Sequence, residues 1–286
     1  MYKILEKDKL GPDIYRYRIK APDVARYRRP GQFVIVRITE EGERVPLTIS
    51  DSDAREGSIT LIVQSVGKTT LEMAQMDSGD FIPTVTGPLG RPTHIEKVGR
   101  VLCVGGGIGI APLYPVAKAM KEVGNHVTSI LGARSSDLLI LVDDMKQASH
   151  DTVITTDDGS RGKKGFVTDA IEDLMDIGDS YDQCIAMGPP IMMKCVSQLT
   201  REYEIPTIVS LNPIMVDGTG MCGCCRVTVG DKVKFACVDG PEFDGHRVDF
   251  DELMNRLATY EKEETKALDC YSSETGCRLD SMIQEN

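Results

Sequence analysis

Four of the nine cysteines, Cys222, Cys224, Cys225 and Cys237, fall within 16 residues of one another. Three of them close the run Asp217-Gly218-Thr219-Gly220-Met221-Cys222-Gly223-Cys224-Cys225, and Cys237 follows twelve residues on. A CxxC pair on a glycine-rich loop lets two thiolates converge while backbone N–H groups point at the same centre, and a third cysteine returning from a hairpin closes the cage. Three soft ligands plus one more suit an iron-sulfur cluster or a structural zinc. Small buried thiols in a tight turn are the alternative, but free cysteines seldom crowd this densely without a metal.

Two further stretches could hold phosphates. Val101-Leu102-Cys103-Val104-Gly105-Gly106-Gly107-Ile108-Gly109-Ile110-Ala111-Pro112 reads as strand, glycine loop and helix start. There a pyrophosphate can reach free N–H groups and the positive end of the helix dipole. An ordinary glycine turn is the competing reading, and the Rossmann spacing is not met, since the next strand ends in Gly132-Ala133-Arg134 without the expected acid. Gly67-Lys68-Thr69-Thr70, after Val63, offers N–H groups, two hydroxyls and a lysine just before a helix start.

The elements that must position these residues fall into three kinds. Residues 1–98 read as short strands with turns, at Tyr15–Ile19, Phe33–Val36, Val45–Ile49, Ile59–Val63 and Phe81–Val85, a spacing that fits a small antiparallel barrel. Residues 99–211 alternate strands (Val101–Val104, Val127–Leu131, Val153–Thr155, Ile185–Met187) with helices over Ala111–Val123 and Ile191–Glu202, which predicts a parallel sheet binding ligands at its carboxyl edge. Residues 212–250 are rich in Gly, Cys and Asp around one hairpin, Arg226–Val229 with Val233–Ala236, turning at Gly230-Asp231. Residues 251–286 complete the chain, and Leu253, Leu257 and Tyr260 predict a packing helix over Phe250–Leu268.

The 286 residues carry 33 Lys and Arg against 44 Asp and Glu, a net charge of -11, with no basic run to track a nucleic acid. No apolar stretch approaches the roughly 20 residues of a membrane span. Met1-Tyr2-Lys3-Ile4 lacks the apolar region of a secretory signal, so a reducing, cytoplasmic setting is expected, where clustered thiols hold metal. His94, His126, His150 and His246 match no ligand spacing. Cys103, Cys184 and Cys195 are expected in the core, Met192 and Met193 mainly in packing, and Cys270 and Cys277 in a disordered polar tail.

Pro213-Ile214-Met215-Val216-Asp217-Gly218-Thr219-Gly220-Met221-Cys222-Gly223, with Phe235-Ala236-Cys237-Val238-Asp239-Gly240-Pro241-Glu242-Phe243, resembles a known cluster region. It is similar to that of the small flavin subunits of NADH-dependent ferredoxin:NADP oxidoreductases, relatives of the dihydroorotate dehydrogenase electron-transfer subunits. The resemblance implies a 2Fe-2S cluster on Asp217, Cys222, Cys225 and Cys237, with Asp217 standing where the dihydroorotate-linked relatives have their first cysteine. A harder donor of this kind would alter the cluster's potential. Cys224 is the rival fourth ligand; adjacent side chains tend to point apart, which favours Asp217 over a Cys224–Cys225 pair.

The same resemblance, which runs to about Leu268, implies a β plus α/β fold: a ferredoxin-reductase-like FAD barrel, a parallel-sheet nicotinamide domain and a small C-terminal 2Fe-2S module. Arg44-Val45-Pro46-Leu47-Thr48-Ile49-Ser50 is similar to the strand whose arginine grips the FAD pyrophosphate, a task suited to a planar fork, while its backbone and hydroxyl meet the flavin. Gly87-Pro88-Leu89-Gly90 ends the barrel as in the family, Gly107 to Pro112 (Gly107, Ile108, Gly109, Ala111, Pro112) has the family's G-x-G-x-A-P form, and Gly188-Pro189 stands where relatives cover the nicotinamide. Asp157 and Asp158 replace the Ser and Arg of NADP-using relatives and predict NAD, since carboxylates repel a 2'-phosphate, although Arg134 and Arg161 lie near enough to reverse that.

The function so implied is hydride exchange between NAD(H) and FAD and single-electron exchange with the cluster, within flavin-based electron bifurcation. The partner would be a larger subunit carrying FAD and 4Fe-4S clusters that serves ferredoxin. An electron-transfer subunit of an NAD-dependent dihydroorotate dehydrogenase is the alternative, and a zinc- and nucleotide-binding regulator without turnover is the alternative of another class.

Overall fold

A computed structural model describes residues 1–271. Seven antiparallel strands form a barrel-like sheet: β1 (Tyr2–Gly11), β2 (Ile14–Lys20), β3 (Phe33–Arg37), β4 (Val45–Asp53), β5 (Ser58–Gln64), β6 (Phe81–Ile82) and β7 (Thr84–Leu89). Their spatial order is β6-β1-β2-β5-β4-β3-β7. Period-two alternation builds it. Along β2, Tyr17 and Ile19 point inward to Val34, Val36, Ile49 and Leu61, while Arg16 and Arg18 pair outside with Asp8 and Glu6 of β1. Among β1 residues Ile4 alone is fully buried, which is why that strand carried no apolar signature. The stretch expected as one strand over Phe81–Val85 is two, separated at Pro83. Short helices α1 (Pro22–Tyr27) and α2 (Lys68–Ala74) lie between strands.

The second sheet has parallel strands β8 (Arg100–Gly106), β9 (His126–Ala133), β10 (Asp151–Thr156), β11 (Lys163–Lys164), β12 (Gln183–Met187) and β13 (Thr207–Ser210), in the order β11-β10-β9-β8-β12-β13. Strand order therefore reverses between β8 and β12, the place where such sheets open a ligand crevice. Helices α3 (Ile110–Glu122), α4 (Val142–Ala148), α5 (Val167–Asp176) and α6 (Pro190–Glu202) cover its faces. Two helices and three strands of this unit, α4, α5, β11, β13 and the edge strand described next, lie outside the elements expected from sequence.

The hairpin of β14 (Arg226–Val229) and β15 (Lys232–Phe235) turns at Gly230-Asp231 and leads into one turn of helix, α7 (Ala236–Asp239). The chain then returns as β16 (Glu242–Asp244), which pairs antiparallel with β13, so the cysteine-bearing segment is stitched to the edge of the second sheet. Helix α8 (Phe250–Leu257) buries Phe250 and Leu253. Beyond it the expected packing role stops: Ala258–Tyr260 is a 3-10 turn, Tyr260 is exposed, and residues 261–271 are helical and mostly exposed. Cys270 lies in that helix, a correction to the disordered tail expected there, and Cys277 is outside the described residues.

Two apolar cores cross the domain boundaries. Ile14 and Ile62 of the barrel pack with Ile110, Leu113 and Val116 of α3. Phe33 and Ile35 on the opposite edge share a core with Val104, Ala186, Cys225, Cys237 and Leu253. Burial of this kind holds the three units in one arrangement.

Candidate functional site

The cysteine loop rests on the barrel. Gly218, Gly220 and Gly223 have φ of +74°, +84° and +71°, conformations a side chain would strain. A Cβ on Gly218 would lie 2.6 Å from Leu89 Cδ1 and 3.1 Å from Ile35 Cγ1, so the loop is pressed against β3 and β7. Ile35 pairs with Pro46 and Phe33 with Thr48 across β3 and β4, which puts the strand after Arg44 next to the cysteine loop.

The five candidate ligands sort into two groups. Cys225 and Cys237 are buried, with Sγ atoms 3.2 Å apart, and the Cys237 N–H donates to Cys225 Sγ at 3.5 Å. A tetrahedral centre with metal–sulfur bonds of about 2.3 Å holds two of its sulfurs about 3.8 Å apart, so this pair fits one metal after a small relaxation. Burial, then the Cys225 thiol, pushes the Cys237 thiol up to about 12; metal coordination overrides this, because a bound thiol is deprotonated outright. On the other side Asp217 Oδ1 accepts from the Thr219 N–H at 2.9 Å and Oδ2 from the Cys222 N–H at 3.1 Å. The Thr219 N–H above all holds this carboxyl below its ordinary range. A hydrogen bond with Cys222 above all raises the Cys224 thiol and places it beside Cys222, with Cys225 and Asp217 also near enough to raise it. Asp217 and Cys224 therefore compete for the same side of the centre. Arg256 of α8 braces the loop by donating to the Cys224 carbonyl at 3.1 Å.

At the carboxyl edge of the second sheet a cleft of about 640 Å³ opens. Gly106, Gly107 and Ile108 floor it, Arg134 and Asp157 line one end, and Pro189, Ile191 and Met192 the other. Gly107 has φ +54° and nothing within 4 Å of where a Cβ would stand, an open approach to the backbone. Gly109 serves packing instead, since a Cβ there would meet the Met187 carbonyl oxygen at 2.3 Å. Ala111 and Pro112 lie in the first turn of α3, and Gly188 in the loop after β12. The buried hydroxyl of Thr155, which lines the cleft, has no hydrogen-bond partner among the described residues. These features fit a nicotinamide dinucleotide.

The two acids after β10 separate. Asp157 lines the cleft, whereas Asp158 Oδ1 accepts from the Ser160 N–H and hydroxyl at 2.9 and 2.6 Å and shapes the turn. Sequence reasoning missed Thr155, Phe166 and Cys195 here. Phe166 is 62% exposed at the cleft wall, and its signal was an aromatic just before a helix. Cys195, expected in the core, is exposed and lines the cleft, because α6 turns that face to the crevice.

The barrel residues gather near β4. Arg44 is exposed just ahead of the strand and has no hydrogen-bond or ion-pair partner among the described residues, while Pro46, Leu47 and Thr48 are half-buried on it. Thr69 donates to Glu43 at 3.0 Å, drawing the turn at Gly67 and Lys68 toward Arg44. The Gly67 position is open, with nothing within 4 Å of a Cβ, but the Thr70 hydroxyl accepts from the N–H groups of Val66 and Gly67 and so withdraws two donors expected for phosphate. Val63 is buried in the barrel. Gly87 and Gly90 are glycines for packing: a Cβ would meet Val34 at 2.7 Å and Phe33 at 2.8 Å, respectively. An exposed, unpaired guanidinium beside an open glycine turn fits an FAD pyrophosphate.

His126 and His150, dispersed in sequence, stack 4.5 Å apart. Among the described residues no group of three or more His, Cys, Asp or Glu side chains, the cysteine loop included, stands already gathered around a metal position, and no helix is long and apolar enough to cross a membrane.

Residues 212–249 match the iron-sulfur cluster binding domain of dihydroorotate dehydrogenase B, and residues 103–198 the oxidoreductase NAD-binding domain. The chain is 54% identical over 262 residues, 92% of each protein, to a dihydroorotate dehydrogenase B (NAD(+)) electron transfer subunit homolog of Thermotoga maritima. It is 50% identical, with a TM-score of 0.90 over 95% of this chain and 98% of the other, to a chain from a structure described as giving insights into flavin-based electron bifurcation via the NADH-dependent reduced ferredoxin-NADP oxidoreductase. A ferredoxin NADP+ reductase from Neisseria gonorrhoeae with bound FAD and NADP shares the fold at 18% identity and a TM-score of 0.58, over 70% of this chain and 89% of that one.

Proposed function

The chain belongs to the family of dihydroorotate dehydrogenase B electron-transfer subunits, as an NAD(H)-linked flavin and iron-sulfur oxidoreductase subunit, and from that premise we propose that it serves flavin-based electron bifurcation in an NADH-dependent ferredoxin:NADP oxidoreductase. FAD, when bound, exchanges a two-electron hydride with the nicotinamide and single electrons with the cluster. Arg44 grips the flavin pyrophosphate, and β4 supports the ring. Gly107 admits the dinucleotide backbone, Thr155 supplies a hydroxyl to it, and Asp157 sets the preference for NAD. A 2Fe-2S cluster would be held by Asp217, Cys222, Cys225 and Cys237. Burial of Cys225 and Cys237 against Phe33 and Ile35 keeps water from that side of the centre.

Asp217 is the observation that carries this reading over the dihydroorotate one. It stands where the resemblance puts the first ligand, and its carboxylate accepts from the Cys222 N–H. The relatives' names support the second reading, an electron-transfer subunit of dihydroorotate dehydrogenase, and the family assignment favours either over a zinc-binding regulator. Purification of the chain with its native partner separates them. A larger subunit with FAD and 4Fe-4S clusters, and NADPH oxidation that requires ferredoxin and NAD together, is the expected result. Dihydroorotate-dependent reduction of NAD by the complex would overturn it.

A further inference from the structure

Glu242 is a carboxyl acid set where three parts of the molecule meet. It lies on β16, five residues after Cys237, at the edge of the second sheet. Its Oε1 accepts from the Thr93 hydroxyl at 2.5 Å, in the connection between barrel and sheet, and would stand 2.8 Å from a Cβ on Gly31 of the barrel. The neighbouring Pro241 packs on Gly90 with Phe33, the residue paired with Thr48 of the flavin-side strand. Arg91 clamps the intervening stretch by donating to the carbonyls of Gly240 and Val238 at 2.6 and 3.1 Å.

Among the described residues no counter-charge faces this acid. Arg91 is directed to Asp239, His94 to Glu96, and Asp244 accepts from the His246 N–H. Arg29, next to Pro30 and Gly31, is exposed, and β13 brings Ser210 opposite Glu242. Burial pushes the Glu242 carboxyl up to about 7, with Thr93 opposing.

We propose that Glu242 is the proton site of the cluster: one electron entering from the flavin is accompanied by one proton taken from water onto the Glu242 carboxylate, and oxidation returns both. The inference rests on the cluster assignment made above. A reduced cluster carries one more negative charge, and in general one added negative charge raises the proton affinity of an acid roughly tenfold when about 10 Å separates them at an effective dielectric of about 20. Thr93 holds the carboxyl in place in either state, since a hydroxyl both donates and accepts. The positioning role thus predicts that the cluster is easier to reduce at low pH.

The test is a spectroscopic redox titration of the cluster in the full, cofactor-loaded chain from pH 5.5 to 9. A roughly tenfold proton coupling appears as a midpoint that falls by about 59 mV in total between its plateaus, the value for a one-electron couple. Glu242→Gln, whose amide oxygen can still accept from Thr93, should flatten the curve, while Asp217→Cys should move the midpoint and keep the slope. Difference infrared spectra on reduction should show a protonated carboxyl in wild type that is missing in Glu242→Gln. A midpoint independent of pH in a chain whose cluster signal is present, or a slope unchanged in Glu242→Gln, overturns the proposal and leaves the cluster reading intact. Absence of the cluster signal itself removes the reading and this proposal together.

Discussion

Cys225 Sγ lies 3.2 Å from Cys237 Sγ, twelve residues along the chain, and both side chains are buried. The hairpin between them makes this approach, and the apolar core around them holds it. Replacing either by Ser should therefore abolish the iron-sulfur signal, with FAD retained because the flavin contacts proposed for Arg44 and β4 involve neither cysteine. Cys222→Ser should cripple the same signal.

Asp217 and Cys224 flank Cys222, so the fourth ligand is decided by substitution. Cys224→Ala should leave the cluster spectrum intact, and Asp217→Cys should keep a cluster with a shifted potential. Loss of the cluster in Cys224→Ala together with its survival in Asp217→Ala would transfer the assignment to Cys224.

Arg44 makes no hydrogen bond or ion pair among the described residues, so its removal should cost the fold little. Arg44→Ala should weaken FAD binding by roughly ten- to a hundredfold, the equivalent of about 1.5–3 kcal/mol for hydrogen bonds to a charged group. Flavin content equal to wild type after long dialysis would mean that the guanidinium is a solvated surface charge.

NADH should be the better substrate for diaphorase activity of the isolated chain, because the 2'-phosphate of NADPH would face Asp157 in the cleft. Asp157→Ser should narrow the gap, whereas Asp158→Ser should disturb the turn with Ser160 and leave the ratio nearer wild type. A preference for NADPH that disappears in Arg134→Ala would show that Arg134, which lines the same end, holds the phosphate.

Two glycines of one loop should respond differently. In Gly109→Ala the new methyl meets backbone at the Met187 carbonyl, 2.3 Å away, which should cost roughly 1–3 kcal/mol and nucleotide affinity. Gly106→Ala meets the Met192 Sδ at 2.3 Å, a flexible side chain that can move aside. Thermal unfolding and nucleotide titration of both variants check the contrast.

Glu242 also makes stability depend on pH. Its folded-state acid constant is raised from 4.5 to about 7, so the native state binds more protons than the unfolded chain between those values. Stability is therefore fully present below about pH 4.5 and falls as the pH rises to about 7, by at most about 3 kcal/mol. Glu242→Gln should lose less stability than wild type over this interval in denaturant titrations.

The cysteine spacing at Cys222, Cys225 and Cys237, the strand, glycine loop and helix start at Val101–Pro112, and the change from period-two strands to alternating strand and helix were legible in the sequence. Each is a local pattern, set by short-range sterics and by which residues must face a core. Tertiary structure alone decided which neighbours these patterns meet. Gly218 lies on Ile35 and Leu89, and Glu242 under Thr93, because residues more than a hundred positions apart share a core whose burial no local period records. The faces of α6 and of the loop after β10 were settled in the same way: packing against the second sheet turned Cys195 and Asp157 to the cleft, and hydrogen bonds to Ser160 held Asp158 in its turn.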